Sequence, residues 1–319
     1  MERTAFAIIG LGKMGKNLAL NALDKGFEVV GINRSSLPEE LEGKDIAHLK
    51  DKSKITDYLQ RTRIVFLYLP AGPVVDTVIE DLSQVLEPGD VIVDGGNSYW
   101  GDSLRRAEFL KARGILFSDC GTSGGVRGAR YGASFMFGGE QEVADIIMPI
   151  LKRLAVPEGV VHTGPSGSGH FVKLVHNGIE FGMMQAIGEG VDLLENFRHK
   201  LNLPSILHAW NHGSVIRSWL IELLEEQLSE QKGMEGIPGY IEDTGEVNWL
   251  VDDAMRMEVP VPVISQSVMQ LFISRDKNKT WAKAIAMMRH GFGQHPFGPN
   301  EGIKRGRGKD RISPYPGKS

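Results

Sequence analysis

The first half of the chain alternates short apolar runs with stretches of helical periodicity. Nearly continuous apolar runs predict buried strands, because parallel strands covered by helices on both faces show little alternation. The clearest runs are residues 5–9, 28–32, 64–69, 91–93 and 115–118, with weaker runs near Ser134 and Val160. This pattern predicts an α/β fold that begins with a Rossmann-like, mostly parallel sheet connected by crossover helices.

After Gly164-Pro165-Ser166-Gly167 the strand pattern ends and long helical patterns follow, at residues 169–200 and 205–231. We therefore predict a sheet domain over residues 1–164, an all-helical domain over 165–297 and a basic Gly/Pro-rich tail over 298–319. The tail is expected to be solvated and poorly ordered. A set of methionines is expected to pack in the helical core: Met183, Met184, Met255, Met257, Met287 and Met288.

Composition narrows the classes of protein that this chain can belong to. Its 319 residues are 41% hydrophobic and 24% charged, which favours two domains, and a net charge of −4 argues against nucleic acid as the main partner. Cys120 is the only cysteine and is expected to be a buried, inert thiol. The absence of a signal-like N-terminus and of long apolar runs predicts a cytoplasmic protein without a membrane partner. The nine histidines show no metal-ligand spacing, so no metal is expected.

A glycine fingerprint follows the first apolar run and opens the first helical stretch. It reads Gly10-Leu11-Gly12-Lys13-Met14-Gly15, in the strand-to-helix context that the GxGxxG motif requires. Gly10 permits the tight turn, Gly12 lets the main chain approach a pyrophosphate, and Gly15 allows close packing of helix on strand. The N-terminus of the helix offers free N–H groups to the phosphates. We predict that these six residues bind a dinucleotide.

The end of the second predicted strand indicates which dinucleotide binds. An NAD-selective site normally places Asp or Glu there, to accept a hydrogen bond from the ribose 2′-hydroxyl. This chain has Asn33, Arg34 and Ser35 instead, and a guanidinium beside hydroxyls suits a 2′-phosphate. We predict NADP as the cofactor, with NAD as the alternative. The segment Leu69-Pro70-Ala71 ends the next strand and is expected to shape the nicotinamide pocket.

Four polar residues of the second domain recur at helical spacing. Lys173, His176, Asn177 and Glu180 stand at i, i+3, i+4 and i+7, so a helix presents them on one face. A lysine and a glutamate at this spacing can take a proton at one end of a small substrate and return one at the other. Their neighbours are largely apolar, so we expect this polar row to be enclosed, as functional polar groups often are. A solvated helix face is the alternative interpretation.

Two further glycine-rich segments end apolar runs: Asp94-Gly95-Gly96-Asn97-Ser98, and Asp119-Cys120-Gly121-Thr122-Ser123-Gly124-Gly125. Ligands of parallel α/β sheets bind at the carboxyl ends of the strands. We therefore expect both segments to converge with residues 10–15 on one crevice, where backbone N–H groups could reach a carboxylate.

Together these motifs resemble those of the 6-phosphogluconate dehydrogenases, the decarboxylating enzymes of the β-hydroxyacid dehydrogenase superfamily. The shared motifs occur in the order of that family and read GLGKMG, NRS, DGGNSYW, GTSGG, KxxHNGIEFG and RHGFGQH. The resemblance extends to about His295. Long members of the family carry a duplicated helical domain, and this chain has room for one copy, so it resembles the short form.

The resemblance implies oxidative decarboxylation of 6-phospho-D-gluconate to D-ribulose 5-phosphate and CO2 with hydride transfer to NADP, a reaction of the pentose phosphate pathway and of gluconate utilisation. Lys173 would accept the proton of the C3 hydroxyl, and Glu180 would protonate C1 of the resulting enediol. Other residues would hold the carboxylate and hydroxyls of this phosphorylated sugar acid: Asn97, which would also contact the cofactor, Ser123, Gly124, Gly125, His176 and Asn177.

The resemblance also implies how the substrate phosphate is held. Arg217, Arg289 and His295 match the phosphate ligands of the family, and the last two reach in from the other subunit. This implies a homodimer or a dimer of dimers. Two positions depart from the family pattern: Asn248 stands where a lysine or arginine usually precedes the tryptophan, and Phe181 stands where tyrosine is common.

Two other functions stay open at this point. One is a β-hydroxyacid dehydrogenase for another small acid such as 3-hydroxyisobutyrate, which would use Lys173 but would not need Glu180, Arg217 or Arg289. The other is a non-catalytic NADP(H)-binding regulatory subunit, whose expected mark is an eroded row of proton carriers. Retention of the whole row argues against the second alternative.

Overall fold

The structure is a computed structural model that describes residues 4–306. Within that range, eight strands form one sheet and twelve α-helices accompany it. The strands are β1 (Ala5–Ile9), β2 (Glu28–Ile32), β3 (Ile46–Leu49), β4 (Ile64–Leu67), β5 (Val91–Asp94), β6 (Leu116–Ser123), β7 (Ala133–Gly138) and β8 (Ala155–Gly164). The helices are α1 (Lys13–Asp24), α2 (Pro73–Leu82), α3 (Trp100–Lys111), α4 (Gly125–Tyr131), α5 (Gln141–Leu154), α6 (Ser168–Glu195), α7 (Leu203–Asn211), α8 (Trp219–Glu230), α9 (Glu246–Arg256), α10 (Pro262–Arg275), α11 (Thr280–Gly293) and α12 (Glu301–Gly306).

The order of the strands creates a ligand crevice. The sheet runs β3-β2-β1-β4-β5-β6-β7-β8, so the chain order reverses between β1 and β4. Strands at such a switch point send their following loops to opposite sides and leave a crevice at their carboxyl ends. The glycine turn after β1 and the loop after β4 therefore flank the same opening.

One pair of strands in the sheet is antiparallel. β6 and β7 pair antiparallel, whereas all the other neighbours are parallel. The connection between them contains only the seven-residue helix α4, and a parallel crossover needs a dozen or more residues. β7 must therefore return beside β6 in the opposite direction.

The core of the sheet domain lies on both faces of the sheet. Every residue of β4 and of β5 is buried, as expected of central parallel strands covered on both sides. One apolar cluster centres on Phe6, Phe66 and Phe135, and a second lies around Val65 and Leu67. Burying each large side chain contributes about 1.5–3 kcal/mol, and this keeps the carboxyl edge of the sheet rigid.

The helical region is built around α6, a helix of 28 residues that packs against β6, β7 and α9. The described residues divide into two compact units, residues 4–237 with 243–269 and residues 238–242 with 270–306. The larger unit contains the sheet and α1–α9, and the smaller one contains α11 and α12. The predicted boundary between residues 164 and 165 falls between β8 and α6 and stays a prediction.

The predicted fold class is confirmed, with corrections to individual strands. β3 was not predicted, because Ile46–Leu49 is a four-residue edge strand that follows a charged segment. β6 does not end at residue 118 but continues to Ser123, because β7 pairs with it along that extension. The segment that was expected to be a loop after the strand is therefore largely strand.

Two predictions about the helical region are wrong, and a third falls largely outside the described residues. Residues 205–231 form two helices rather than one, since Gly213 has φ of 106° and Ser218 caps α8 by accepting a hydrogen bond from the Ile221 N–H at 3.3 Å. The six methionines expected in the core are all exposed, from 41% at Met184 to 75% at Met255. The expected poorly ordered tail begins with helix α12, while Arg307, Lys309 and Arg311 lie outside the described residues.

Candidate active site

The turn between β1 and α1 has the shape that its glycines allow. Gly10 has φ of 95°, and a Cβ there would lie 2.3 Å from the carbonyl oxygen of Tyr68. A Cβ on Gly15 would lie 1.9 Å from the carbonyl oxygen of Gly10, so α1 packs on its strand at backbone distance. A Cβ on Gly12 would meet no described atom within 4 Å. Packing explains glycine at 10 and 15, whereas close approach of a dinucleotide explains it at 12.

The other residues of the glycine fingerprint differ in their exposure. Leu11 is only 3% exposed and belongs to the core of the sheet domain, so its backbone is the part that can contact a ligand. Lys13 and Met14 line the main cleft together with Gly12. The N-terminus of α1, which has Gly12 as its N-cap and no side-chain cap, therefore opens toward the same space, as a pyrophosphate site requires.

The main cleft brings the predicted glycine segments together. It has a volume of 1060 Å³, and all its lining residues belong to the larger unit. Gly12–Met14, Gly95–Asn97 and Thr122–Gly125 form one side, and α6 forms the other. The expected convergence on one crevice is thus confirmed.

A buried carboxylate shapes the loop after β5. Asp94 is fully buried and accepts hydrogen bonds from the Gly96 N–H at 3.1 Å and from the Ser98 hydroxyl at 2.8 Å. Arg106, itself 1% exposed, donates to Asp94 at 3.1 Å and to the Gly72 carbonyl at 3.3 Å. This guanidinium therefore ties the loop after β4 to the loop that carries Asn97.

A second buried carboxylate starts the helix that carries the polar row. The Oδ1 of Asp119, in β6, accepts from the Gly167 N–H at 2.6 Å, and its Oδ2 accepts from the His170 N–H at 2.7 Å. These are N–H groups at the N-terminus of α6, which otherwise lacks a side-chain cap. Hydrogen bonds from N–H groups to a carboxylate are strong, and the positive end of the helix dipole stabilises the negative charge. Asp119 thus fixes the start of α6 relative to the sheet.

Lys173 sits directly against the strand β6. A Cβ on Gly121 would lie 2.4 Å from the Cβ of Lys173, so glycine at 121 is what allows the lysine stem to reach this position. Thr122 follows Gly121, and its hydroxyl is 3.1 Å from the hydroxyl of the partly buried Tyr68. Lys173 therefore emerges between the two substrate loops rather than on the outer face of α6.

The polar row forms a continuous network at the Lys173 end. The Lys173 ammonium donates to the Asn177 Oδ1 at 2.7 Å and lies 3.4 Å from the His176 Nδ1. The other ring nitrogen of His176 is 3.0 Å from the Ser123 hydroxyl. The Asn177 Nδ2 donates to the Asn97 Oδ1 at 3.4 Å. Side chains from both glycine loops thus meet the row.

The environment of the row changes the pKa of two members. Burial lowers the pKa of the Lys173 amine, against the opposing charges of Glu180 and Glu246. Burial, and then the positive charge of Lys173, lower the pKa of His176. Both shifts favour the neutral forms, and a neutral lysine is the form that can accept a proton.

The polar row had been expected to be enclosed along its whole length, but its Glu180 end is partly exposed. The Glu180 side chain is 39% exposed, with its Oε2 3.7 Å from the His176 Nδ1. Its apolar neighbours Ile179, Met183 and Met184 are each more than 40% exposed. The correction has a simple reason: the start of α6 packs on β6 and β7, with Gly169 against Asp119 and Gly138, whereas Gly178 packs on Leu250 of α9 and Ile264 of α10 instead.

Residues of α9 complete the cleft and were not identified from the sequence. Glu246 lines the cleft, and its carboxylate accepts a hydrogen bond from the Thr244 hydroxyl. Asn248, on the same helix, is exposed and does not line the cleft. Glu246 follows Gly245, and an acidic residue in this position is typical of the first turn of a helix. Nothing in the sequence indicated that this helix lies near Lys173.

The three predicted phosphate ligands occupy different parts of the structure. Arg217 lies in the exposed turn between α7 and α8 rather than in a helix, and Ser218 and Trp219 beside it line the cleft. Arg289, in α11, and His295, just after it, belong to the smaller unit. Arg289 is exposed and His295 is half-buried.

The residues predicted to select the cofactor lie beside the glycine turn. The Asn33 Nδ2 donates to the Ser35 hydroxyl at 2.8 Å, and both residues line a pocket next to Gly12. Arg34 is exposed and does not line this pocket. Leu69 and Pro70 line the main cleft, whereas Ala71 is exposed and does not.

Three remaining observations concern other predictions. Cys120 is 1% exposed, and burial raises the pKa of its thiol, so its predicted burial is confirmed and its inertness stays a prediction. Among residues 4–306, no group of three or more His, Cys, Asp or Glu side chains could hold a metal ion. In the same range, no helix is both long and apolar enough to cross a bilayer.

Comparison with known proteins identifies the family. Residues 5–164 match the model of the NAD binding domain of 6-phosphogluconate dehydrogenase, and residues 169–299 match the model of its C-terminal domain. The chain belongs to the 6-phosphogluconate dehydrogenase family. This confirms the resemblance seen in its motifs.

Individual members of the 6-phosphogluconate dehydrogenase family are similar over most of the chain. An NAD(+)-dependent, decarboxylating 6-phosphogluconate dehydrogenase of Haloferax volcanii is 41% identical over 293 residues, which are 90% of this chain and 96% of that protein. A structure of the Plasmodium falciparum enzyme is 30% identical with a TM-score of 0.79, covering 94% of this chain and 68% of that one. It was determined without ligands, with its cofactor NADP+ and with its substrate 6-phosphogluconate. The difference in coverage agrees with the predicted short form.

The alternative hydroxyacid dehydrogenases are more distant. A 3-hydroxyisobutyrate dehydrogenase of Mycobacterium tuberculosis is 20% identical with a TM-score of 0.65, covering 86% of this chain and 95% of that one. Similarity at this level shows a common fold only.

Proposed function

We propose that the protein oxidises and decarboxylates 6-phospho-D-gluconate to D-ribulose 5-phosphate and CO2, with hydride transfer to NADP+. One observation carries the proposal. Lys173, with its pKa lowered, lies in the same cleft as the GxGxxG turn and both glycine loops, and Glu180 follows two turns later on α6. A simple alcohol oxidation needs the lysine, whereas protonation of an enediol also needs the second proton carrier.

The residues of the cofactor side fit a nicotinamide dinucleotide. Gly12 has room above it, the start of α1 offers uncapped N–H groups, and Leu69 and Pro70 line the cleft beside the substrate loops. When bound, the nicotinamide supplies a hydride acceptor. Met14 and Asn97 line the same cleft as Lys173 and would contact the cofactor near its reacting end.

Lys173 and Glu180 carry the proton transfers. Neutral Lys173 accepts the proton of the C3 hydroxyl while C3 loses its hydride, and the resulting β-keto acid loses CO2. The protonated lysine then returns its proton to the oxygen at C3 as the enediol forms. Glu180 then protonates the enediol carbon that lost CO2, which is C1 of the product, while Lys173 takes back the proton of the neighbouring enediol hydroxyl, so that the ketose forms. Asn177, 2.7 Å from the lysine nitrogen, holds the lysine in place through both steps.

The remaining side chains of the cleft position the substrate. Ser123, His176 and Asn97 offer hydroxyl, imidazole and carboxamide groups to the substrate carboxylate and hydroxyls, and the backbone at Gly124 and Gly125 adds N–H donors. Arg217 stands in the turn next to the cleft-lining Ser218 and Trp219 and would bind the phosphate. Neither Asn248 nor Phe181 supplies the phosphate contact common in the family, so the phosphate depends more on the arginines.

We propose that the active form is a homodimer in which Arg289 and His295 act in the site of the partner subunit. Each unit exposes large apolar side chains that a soluble monomer rarely leaves uncovered. In the larger unit these include Ile179, Met183 and Leu193, and in the smaller one no residue of α11 is buried. A dimer of dimers would use the same contact twice. A cytoplasmic location stays a prediction.

The test of the reaction follows nicotinamide reduction by the purified protein with 6-phosphogluconate, comparing NADP+ with NAD+ and trapping CO2. Reduction accompanied by equal amounts of CO2 is expected. Reduction of 3-hydroxyisobutyrate-type acids without CO2, with no turnover of 6-phosphogluconate by folded protein, would overturn the proposal.

The test of the shared site is subunit complementation. Lys173→Met and Arg289→Ala dimers are each expected to be nearly inactive, because each lacks one part of every site. Mixing and reassembling them should restore about a quarter of the wild-type activity, because half of the dimers are mixed and one of their two sites is intact. No recovery from mixtures that do exchange subunits would show that Arg289 acts within its own chain or not at all.

A further inference from the structure

A pocket beside the glycine turn contains charges of both signs. It has a volume of 610 Å³ and lies where the end of β2 meets the start of α1, which is where the adenosine ribose of a dinucleotide binds in this type of fold. Two lysines and two glutamates are on its wall, together with amide and hydroxyl groups: Lys13, Lys16, Glu39, Glu42, Asn33, Ser35 and Ser36.

The carboxylates come from a short 3-10 helix, Glu39–Leu41, which leads away from β2. Leu41 is fully buried and belongs to the core of the sheet domain. This buried anchor holds the flanking Glu39, Glu40 and Glu42 beside the pocket, although their own side chains are exposed. Three negative charges therefore stand next to the segment where the family binds a ribose.

Lys16 is already engaged by one of these carboxylates. Its ammonium donates a hydrogen bond to Oε1 of Glu40, and the Lys16 side chain is 25% exposed against 52% for Glu40. This bond lowers the pKa of the Glu40 carboxyl, so Glu40 stays ionised at neutral pH. Lys16, one of the two lysines of the pocket, is thus turned toward an anion of its own chain.

This pairing affects NADP+ and NAD+ differently. A 2′-phosphate carries about two negative charges at neutral pH and needs cations, whereas a 2′-hydroxyl is neutral and can donate to carboxylates. Binding of a 2′-phosphate at Lys16 must displace Glu40 and bring a dianion close to Glu39 and Glu42. Arg34 has no ion pair among residues 4–306, so no carboxylate in that range competes with a 2′-phosphate for it. However, Arg34 does not line the pocket.

We propose that Glu40 sets the cofactor preference of this protein: by holding Lys16 it weakens binding of NADP+ and leaves binding of NAD+ unaffected, so that both cofactors are used. This inference rests on the proposed function only in requiring that a nicotinamide dinucleotide binds here. It concerns the choice between two ligands of the same site, and binding itself can be measured without turnover.

The test measures dissociation constants for NADP+ and NAD+ by isothermal titration calorimetry with wild type and Glu40→Gln. An exposed ion pair is a weak interaction, so freeing Lys16 should tighten NADP+ binding by a modest factor, about fivefold at most, and leave NAD+ binding unchanged. The substituted side chain is at the surface, so the fold is expected to be unaffected. Glu108→Gln, an exposed glutamate of α3 away from the pocket, is the matched control and should change neither constant.

A double-mutant comparison tests whether Glu40 affects NADP+ binding through Lys16. Lys16→Met should weaken NADP+ binding, and adding Glu40→Gln to it should then have much less effect than in wild type, because the two residues act on one interaction. An unchanged ratio of the two constants in Glu40→Gln would overturn the inference while leaving the proposed function intact. A full effect in the Lys16→Met background would also overturn it. Wild-type protein that bound neither cofactor would overturn both the inference and the proposed function.

Discussion

The two ends of the polar row on α6 are built in different ways. At one end Lys173 packs on Gly121, bonds to Asn177 and lies beside His176, with Ser123 and Asn97 completing the network. At the other end the Glu180 side chain is 39% exposed, and its Oε2 lies 3.7 Å from the His176 Nδ1. The comparison shows that contacts within the chain fix Lys173, the proposed base, whereas Glu180, the proposed acid, stays partly exposed to solvent.

The strongest test of this comparison removes the base. Lys173→Met is expected to lower kcat by about 10⁴, the upper range for loss of a general acid–base group, with cofactor affinity unchanged. The apolar methionine fills similar space against Gly121, so the fold should be retained. Lys111→Met, at an exposed position of α3, is the control. Residual turnover above about 10% would mean that another group accepts the proton.

Removal of the acid should have a smaller effect. Glu180→Gln is expected to lower kcat about 100-fold, because water can reach this end of the row and replace part of its function. Reduced cofactor, CO2 and ribulose 5-phosphate should be measured separately. Glu189→Gln, an exposed position later on α6, should behave like wild type. Near-normal turnover in Glu180→Gln would favour simple alcohol oxidation and remove the need for a second proton carrier.

The network at the Lys173 end can be weakened at its edge. Ser123→Ala removes the hydroxyl that lies 3.0 Å from the His176 Nε2. Losing one such hydrogen bond costs about 1 kcal/mol, so kcat/KM should fall about fivefold. Ser134→Ala, which removes an exposed hydroxyl from the facing residue of β7, is the control. Equal effects of both substitutions would indicate damage to the strand pair rather than to the site.

The pH dependence of kcat/KM tests whether a nearby carboxylate raises the pKa of Lys173. Burial lowers the pKa of Lys173, and the activity should fall as the pH decreases through that pKa, because the lysine becomes protonated and cannot act as a base. Glu180 and Glu246 raise this pKa, and His176 is the other titratable neighbour. Glu246→Gln should therefore move the acidic limb of log kcat/KM to lower pH, with little change in the plateau. A limb that stays in place, as in the Glu189→Gln control, would show that Glu246 does not act on Lys173.

Much of the site was predictable because it depends on local rules. The GxGxxG turn needs glycines at fixed positions, and the row on α6 needs only helical spacing. The same rules failed at Ile46–Leu49, whose four residues form a strand by pairing with β2, and at residues 116–123, where pairing with β7 extends β6. In both cases the deciding partner is distant in the sequence.

By itself, the sequence determined the α/β order of elements, the dinucleotide turn and the spacing of the polar row on α6, because periodicity and backbone stereochemistry act over a few residues. Tertiary structure alone decided that Asp119 caps α6, that Glu246 lines the same cleft as Lys173 and that Lys16 pairs with Glu40. It also decided that the six methionines are exposed rather than buried. These features depend on which surfaces meet, and long-range packing settles that.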